Sequence, residues 1–293
     1  GPIVRNKAFF LFSVDGQRRR EPQLPLTRAR FGPDGANPDP VVFDEIDEFF
    51  DIIGSQYGVS DPARGYQPFE TTNDQVVIFG RLDWNLNQDH RLSVRHNFTN
   101  FTNDNEWDGN FDFQYGLSRA EKLEGKTHSF VTELQSVLGP NTFNVFRFQF
   151  ADEKRPRQGK DLRPTLSVNL SNGQRIRYGG TFASFNNNLE ERKLQFINNF
   201  THVFGDHTFK VGGNFLFTNI LNRFQNFGSQ FQGAGEFVFA DLDAFAAGRP
   251  SSYFRPIQEG GGIPTSEFDV WDWSVYAQNE WQLTPKLKAT VGV

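Results

Sequence analysis

Trp271 to Val293 reads WDWSVYAQNEWQLTPKLKATVGV, and the fold follows from this stretch. Polar and apolar positions alternate through an aromatic-rich run as far as Leu283. The chain then turns on Thr284, Pro285 and Lys286, and a second alternating run leaves from Leu287. Period-two alternation on both sides of a proline-containing turn predicts a β-hairpin. The same layout recurs in WNLNQDHRLSVR from Trp84, SVLGPNTFNVFR from Ser136 and THVFGDHTFKVG from Thr201.

Working outward from these four turns gives nine strands: Ala8 to Arg20, Gln75 to Leu86, Arg91 to Phe98, Lys126 to Leu138, Thr142 to Lys154, Lys193 to Phe204, Thr208 to Ile220, and the two arms of the last hairpin. In Gln75 to Leu86 one face carries Val76, Ile78, Leu82, Trp84 and Leu86, and the other carries Arg81, Asp83 and Asn85. Connections after the even strands take three or four residues, whereas those after the odd strands run from about twenty to about fifty, the loop-length asymmetry of outer-membrane barrels. The chain is therefore expected to be all-β, part of an antiparallel transmembrane barrel with short periplasmic turns and long extracellular loops. Nine antiparallel strands leave their first and last members parallel, so closure calls for further strands. A soluble all-β binding module is the alternative.

Composition agrees with this reading. The 293 residues include 34 Phe and 15% aromatics, a density that Phe-rich sheets of a barrel or of a soluble all-β protein would both carry. The mean hydropathy of -0.56 is compatible with a barrel, in which only alternate strand residues need be apolar. No run of 18 apolar residues exists, so helical membrane spans are excluded. Zero Cys rules out disulfides and cysteine metal sites. A net charge of -5 with both signs mixed gives no nucleic-acid footprint. With zero Met, the chain is expected to be a processed product or an internal fragment.

Residues 21–72 read as a long, proline-rich extracellular loop. Within it VFDEIDEFFDII, Val42 to Ile53, has Phe43, Ile46, Phe49, Phe50 and Ile53 at spacings of three and four, which predicts a short amphipathic helix. Asp44, Glu45, Asp47 and Glu48 are read as its solvated face.

Site candidates follow from position. Arg81, Asp83, Arg95 and Glu280 fall on polar strand faces and are expected to line the lumen. Trp84, Phe204 and Trp281 precede short turns, where an interfacial aromatic girdle belongs. Arg18, Arg19, Arg20, Lys154, Arg155, Arg157, Arg192 and Lys193 sit at strand ends beside long loops, where guanidinium and ammonium groups could meet lipopolysaccharide phosphates. Asp104, Glu106, Asp108 and Asp112 crowd one loop and are weak calcium candidates, a hydrated loop being the ordinary reading. The five histidines are scattered without an HExxH pattern, and there is no nucleophile elbow or phosphate-binding glycine loop; Gly260 to Gly262 read as a flexible tip. Neither a catalytic residue nor a cofactor is expected. Asn97-Phe98-Thr99 and Asn100-Phe101-Thr102 match glycosylation acceptors, a modification foreign to a bacterial barrel.

Several segments also carry a family likeness. GPIVRNKAFFLFSVDGQRRR, NDQVVIFGRLDWNLNQDHRLSVRHNFT, NNFTHVFGDHTFKVGGNF, FADLDAFAAGRPSSY and WSVYAQNEWQLTPKLKATVGV occur in one order. This series resembles the TonB-dependent outer-membrane receptors with a carboxypeptidase-regulatory-like amino-terminal domain, the Oar-like group. The resemblance implies a 22-stranded barrel of which this chain holds roughly nine strands, and active uptake of a scarce solute such as a siderophore, oligosaccharide or peptide. It also implies partners: the rest of the barrel and its plug, the TonB complex acting through segments outside this sequence, and the lipid and lipopolysaccharide of the bacterial outer membrane. A structural or adhesive barrel that displays surface loops is the rival.

Overall fold

The computed structural model describes residues 1–23, 40–60, 69–106, 120–161, 163–173, 175–180, 186–224, 235–255 and 265–293. In chain order the elements are β1 (Pro2–Val4), β2 (Ala8–Gln23), α1 (Pro40–Gln56), β3 (Phe69–Asn85), β4 (His90–Glu106), β5 (Glu121–Gly139) and β6 (Thr142–Gly159). There follow β7 (Thr165–Asn169), β8 (Arg175–Tyr178), β9 (Asn186–Phe204), β10 (His207–Arg223), β11 (Glu236–Phe239), α2 (Leu242–Ala246), β12 (Ser252–Phe254), β13 (Thr265–Thr284) and β14 (Leu287–Gly292).

Ten of these strands form one antiparallel wall in the order β1-β2-β3-β4-β5-β6-β9-β10-β13-β14. Its other nine strands are the expected ones; eight reach farther at the end away from the tight turns, so that residues 21–23 and 69–72, read as loop, join β2 and β3. Leu86 and Val293 fall outside β3 and β14, and the short β1 pairs with β2 through Pro2 and Val4. Three of the four tight turns shrink to two residues, because the ladders continue to the last alternating position. Pro140 and Pro285 hold the first turn position, which suits their fixed φ, and Gly205 adopts φ +58 at the equivalent place before Asp206. The fourth connection keeps four residues, where Oδ1 of Asn87 accepts hydrogen bonds from the backbone N–H groups of Asp89 and His90, both at 2.8 Å.

Register assigns the two faces. Trp273 lies opposite Phe215, Trp271 opposite Phe217, and Val275 opposite Gly213, and these residues share a face with Phe196, Phe148 and Val94. This face is apolar and solvent-exposed; Trp273 is 71% and Val275 74% accessible. A water-soluble sheet would bury such a surface, whereas a barrel turns it to lipid. From Trp271 to Trp281, β13 rises roughly 34 Å along its axis, or about 24 Å across the bilayer at a tilt of about 45°, matching the apolar band of such barrels. The opposite face is mainly polar, with Phe9 and Leu11 of β2, Val77 and Phe79 of β3, Phe101 of β4 and Phe143 of β6 among its apolar members.

A second unit was not foreseen. β12-β11-β7-β8 make a separate four-stranded sheet in which β11 and β7 run parallel. This sheet packs with α1 and α2 around a core of Ile46, Phe49, Phe50, Ile53, Val168, Ile176 and Phe245. Its parts come from three different long connections, so the extracellular loops fold together as a cap. The expected helix is present and longer, and it buries Ile46, Phe49, Phe50, Ile52 and Ile53, while the side chain of Phe43 lies outside the described residues.

Candidate functional site

The inner face of the wall and the folded cap carry the side chains from which a site could be built. Arg81, Asp83, Arg95 and Glu280 all lie on the inner face, as neighbouring registers show: Arg81 is opposite Arg95, Asp83 opposite Ser93, and Glu280 opposite Thr208. Arg81 Nη2 donates to Asp83 at 2.8 Å, and Arg91 reaches the same carboxylate at 3.4 Å. Glu133 on β5 accepts from Arg147 Nε at 2.9 Å on the facing strand. Glu280 is held between Lys210 and Lys288, the second contact measuring 2.6 Å. Between the ion pairs of β9, β10 and β13 lie neutral contacts: Gln195 donates to Asn214 at 2.8 Å, and the Tyr276 hydroxyl donates to Asn199 at 2.9 Å.

At the periplasmic end of this face a concavity of about 1170 Å³ is lined by Arg5, Lys7, Arg91, Gln135, Phe143 and other residues around the Asn87 turn. Trp84, Phe204 and Trp281 lie on the outward face beside the short turns, with His207 stacked on Trp281 at 5.1 Å. The other histidines also occupy outward cross-strand positions: His90 meets Ser136, His202 meets Thr142, and His96 stacks on His128. Among the described residues no group of three or more possible ligands is placed to hold a metal.

The eight strand-end cations divide by parity. Arg18, Arg20, Lys154 and Arg192 share the outward face, and Arg19, Arg155, Arg157 and Lys193 the inner one. All eight pair with carboxylates. Arg20 grips Asp74 through two bonds of 2.6 and 3.0 Å while Arg18 approaches it at 3.7 Å, and Arg19 pairs with Glu21. Lys154 pairs with Glu190 at 3.1 Å, Arg155 with Glu153 at 2.7 Å, Arg157 with Glu121 at 3.5 Å, Arg192 with Asp152 at 3.3 Å, and Lys193 with Glu191 at 3.0 Å. Alternation along the strand could have revealed this division; a strand-end argument alone does not. Of the calcium candidates, Asp104 pairs with Lys160 at 2.8 Å and Glu106 ends β4. Asp108 and Asp112 lie outside the described residues, as do Gly260 to Gly262.

The cap is built on aromatic stacking. Phe245, placed by the N-cap Asp241 whose Oδ1 accepts from Ala244 N at 2.7 Å, lies between Phe49 and Tyr57 at centroid distances of 5.1 and 4.9 Å. The Tyr57 hydroxyl donates to the Phe245 carbonyl at 3.1 Å, and burial pushes its phenol above the ordinary value. Across the small sheet Arg177 Nε reaches Glu236 at 3.2 Å and donates to Ser167 Oγ at 3.0 Å; Ser167 Oγ donates to the same Glu236 carboxylate, which ties β7, β8 and β11 together. Beside it Arg163 hydrogen-bonds Asp161 and lies over the Tyr178 ring at 5.1 Å; the Asp161 carboxylate raises its guanidinium pKa further.

This architecture has known counterparts. The outer membrane transporter YddB from Escherichia coli superposes with a TM-score of 0.56 at 11% identity, over 98% of this chain and 32% of that one. The ferric-catecholate import receptor Fiu from E. coli K12, in its open form, superposes with a TM-score of 0.53 at 10% identity, over 99% of this chain and 40% of that one. At such identities the likeness is one of fold, and the chain spans between a third and two fifths of the length of those proteins. No curated protein matches the sequence. The profile of a family described as "Outer membrane beta barrel domain" matches residues 57–293. A wall with one lipid-facing and one polar surface, short turns at one end and a folded cap at the other thus places this chain in the bacterial outer membrane, as a member of the outer membrane beta barrel domain family.

Proposed function

We propose that this chain is part of the barrel of a TonB-dependent outer-membrane receptor of the Oar-like group, which takes up a scarce solute by active transport and performs no chemistry on it. The observation that carries the reading is the pairing of a polar inner wall with a cap assembled from three long loops. A wall alone would serve a passive or structural barrel. A cap folded around its own core instead presents a shaped surface above the passage, as capture from dilute solution requires. The fold shared with an outer membrane transporter and a ferric-catecholate import receptor supports the same reading.

In this account Arg81, Asp83, Arg95 and Glu280 line the passage, and Trp84, Phe204 and Trp281 form the girdle at the periplasmic interface. Of the eight strand-end cations, Arg18, Arg20, Lys154 and Arg192 occupy the outward positions from which lipopolysaccharide phosphates are reached. The test is uptake. Cells that lack the gene for the parent protein should lose energy-dependent accumulation of one solute from a labelled panel of ferric siderophores, oligosaccharides and peptides. Complementation should restore it only when TonB is present. Equal accumulation in all these strains contradicts the proposal.

A further inference from the structure

The outward face of the wall differs between its two ends. Toward the long loops it carries fixed charge, in Arg18, Arg20, Lys154 and Arg192 with their carboxylates. Beside the short turns no Lys, Arg, Asp or Glu within β2–β6, β9, β10 or β13 takes an outward position. Three of the five histidines stand there instead. His90 opens β4, His202 lies two residues before the end of β9, and His207 opens β10. They share this end with Trp84, Phe204 and Trp281, and His207 is directly opposite both Phe204 and Trp281.

All three rings are tied through the same atom. Nδ1 of His90 lies 2.9 Å from Ser136 Oγ, Nδ1 of His202 lies 2.9 Å from Thr142 Oγ1, and Nδ1 of His207 lies 3.1 Å from the Asn279 amide nitrogen. That amide nitrogen is a donor, so Nδ1 of His207 accepts, and the proton of the neutral ring sits on Nε2. The hydroxyls of Ser136 and Thr142 donate in the same sense when their rings take this tautomer. In none of the three does Nε2 have a hydrogen-bond partner among the described residues. Each half-buried ring is thus held by a neighbouring strand and keeps one unused N–H donor.

A donor left unpaired in an apolar setting costs free energy. Water offers one acceptor at the level of an aromatic girdle, and lipid headgroups offer others. A phosphodiester oxygen is charged and makes the stronger hydrogen bond. We propose that His90, His202 and His207 form a binding row for glycerophospholipid headgroups, each donating Nε2–H to a phosphodiester oxygen of the periplasmic leaflet. The row is independent of the uptake reading and requires only that this face meet lipid. Aromatic rings set the depth of the wall at this end, and the imidazoles hold the phosphates beside them.

The probe is dioleoylphosphatidylglycerol, added to the full-length protein in an uncharged maltoside detergent. Dioleoylglycerol, with the same tails and no phosphate, is the comparison. Native mass spectrometry counts the lipid molecules retained. Asparagine places its amide where Nδ1 stands and has nothing at Nε2, whereas glutamine reaches the Nε2 position. The three histidines are therefore replaced together by Asn or together by Gln, and heat-modifiable migration confirms that each variant is folded. His207→Asn alone is measured as well, so that the row is tested even where the triple variant does not fold. Lipid held elsewhere on the barrel is common to all these proteins.

The triple Asn variant should retain at most half of the phosphatidylglycerol that the wild type retains. The triple Gln variant should fall between them, His207→Asn should show a smaller loss, and dioleoylglycerol should be retained equally by all. Equal retention of phosphatidylglycerol by the wild type and the Asn variants overturns the row. Equal retention of the two lipids by the wild type shows binding through the tails alone and also overturns it. Displacement of the lipid by an equal concentration of inorganic phosphate shows a site for free anions and overturns the assignment to headgroups.

Discussion

The Tyr276 hydroxyl reaches across β10 to donate a 2.9 Å hydrogen bond to Oδ1 of Asn199 on β9, passing over Gly212. Gly212 is the residue that permits this. A Cβ there would stand 2.3 Å from the Tyr276 ring and 2.6 Å from Asn199 Oδ1. Gly212→Val should therefore destabilise the wall by about 1–3 kcal/mol through overpacking, and Tyr276→Phe by about 1 kcal/mol through the lost hydrogen bond. Urea titration of the folded, heat-modifiable form checks both, and combining Gly212→Val with Tyr276→Ala should recover part of the loss.

On the outward face the cost of a charge should depend on depth. Val275 lies between the aromatic ends of β13, whereas Leu283 adjoins the turn. Val275→Lys is expected to cost about 2–4 kcal/mol and Leu283→Lys about 0–1 kcal/mol. Equilibrium unfolding in lipid vesicles gives both values, and equal costs would place this face in water.

The cap should unfold as one unit. Phe49 is fully buried and contacts both Phe50 and Phe245, so Phe49→Ala removes packing from loops far apart in sequence. A loss of about 3–5 kcal/mol is expected. Limited proteolysis of intact cells should then show simultaneous new cleavage near residues 56, 171 and 248, with the strands still protected. Cleavage confined to the first of these would mean that the loops fold separately.

Glu236 offers a second way into the cap. It accepts from Ser167 Oγ and faces Arg177, on strands that no short turn connects to its own. Glu236→Ala should lower cap stability by about 1–3 kcal/mol, because it leaves polar groups of two other strands poorly paired. Hydrogen exchange at the backbone amides of β7 should accelerate, while exchange in β9 and β10 should not change.

The wall was legible because each strand repeats its signal many times. Alternation from Gln75 to Leu86 and around Pro285 fixes strand, face and turn together, and the helix shows itself through Ile46, Phe49, Phe50 and Ile53. The cap sheet was hidden for the opposite reason. Its strands have between three and five residues, too few to show a period, and they pair with segments up to 71 residues away. The inner site was half visible. Polarity marked Arg81, Asp83, Arg95 and Glu280, but the sharing of one carboxylate by two cations needs cross-strand register, which a single strand does not encode.

Orientation in the outer membrane underlies every part of this account, and the sequence makes it easy to measure because it contains no cysteine. Single cysteines at Ser171 in the cap and at Lys286 in the last turn, in a cysteine-free parent protein, would be treated on intact cells with a membrane-impermeant maleimide. The account predicts labelling at position 171 without further treatment, and at position 286 only after the outer membrane is permeabilised. Labelling of position 286 on intact cells with protection of position 171, or equal labelling of both, would contradict it.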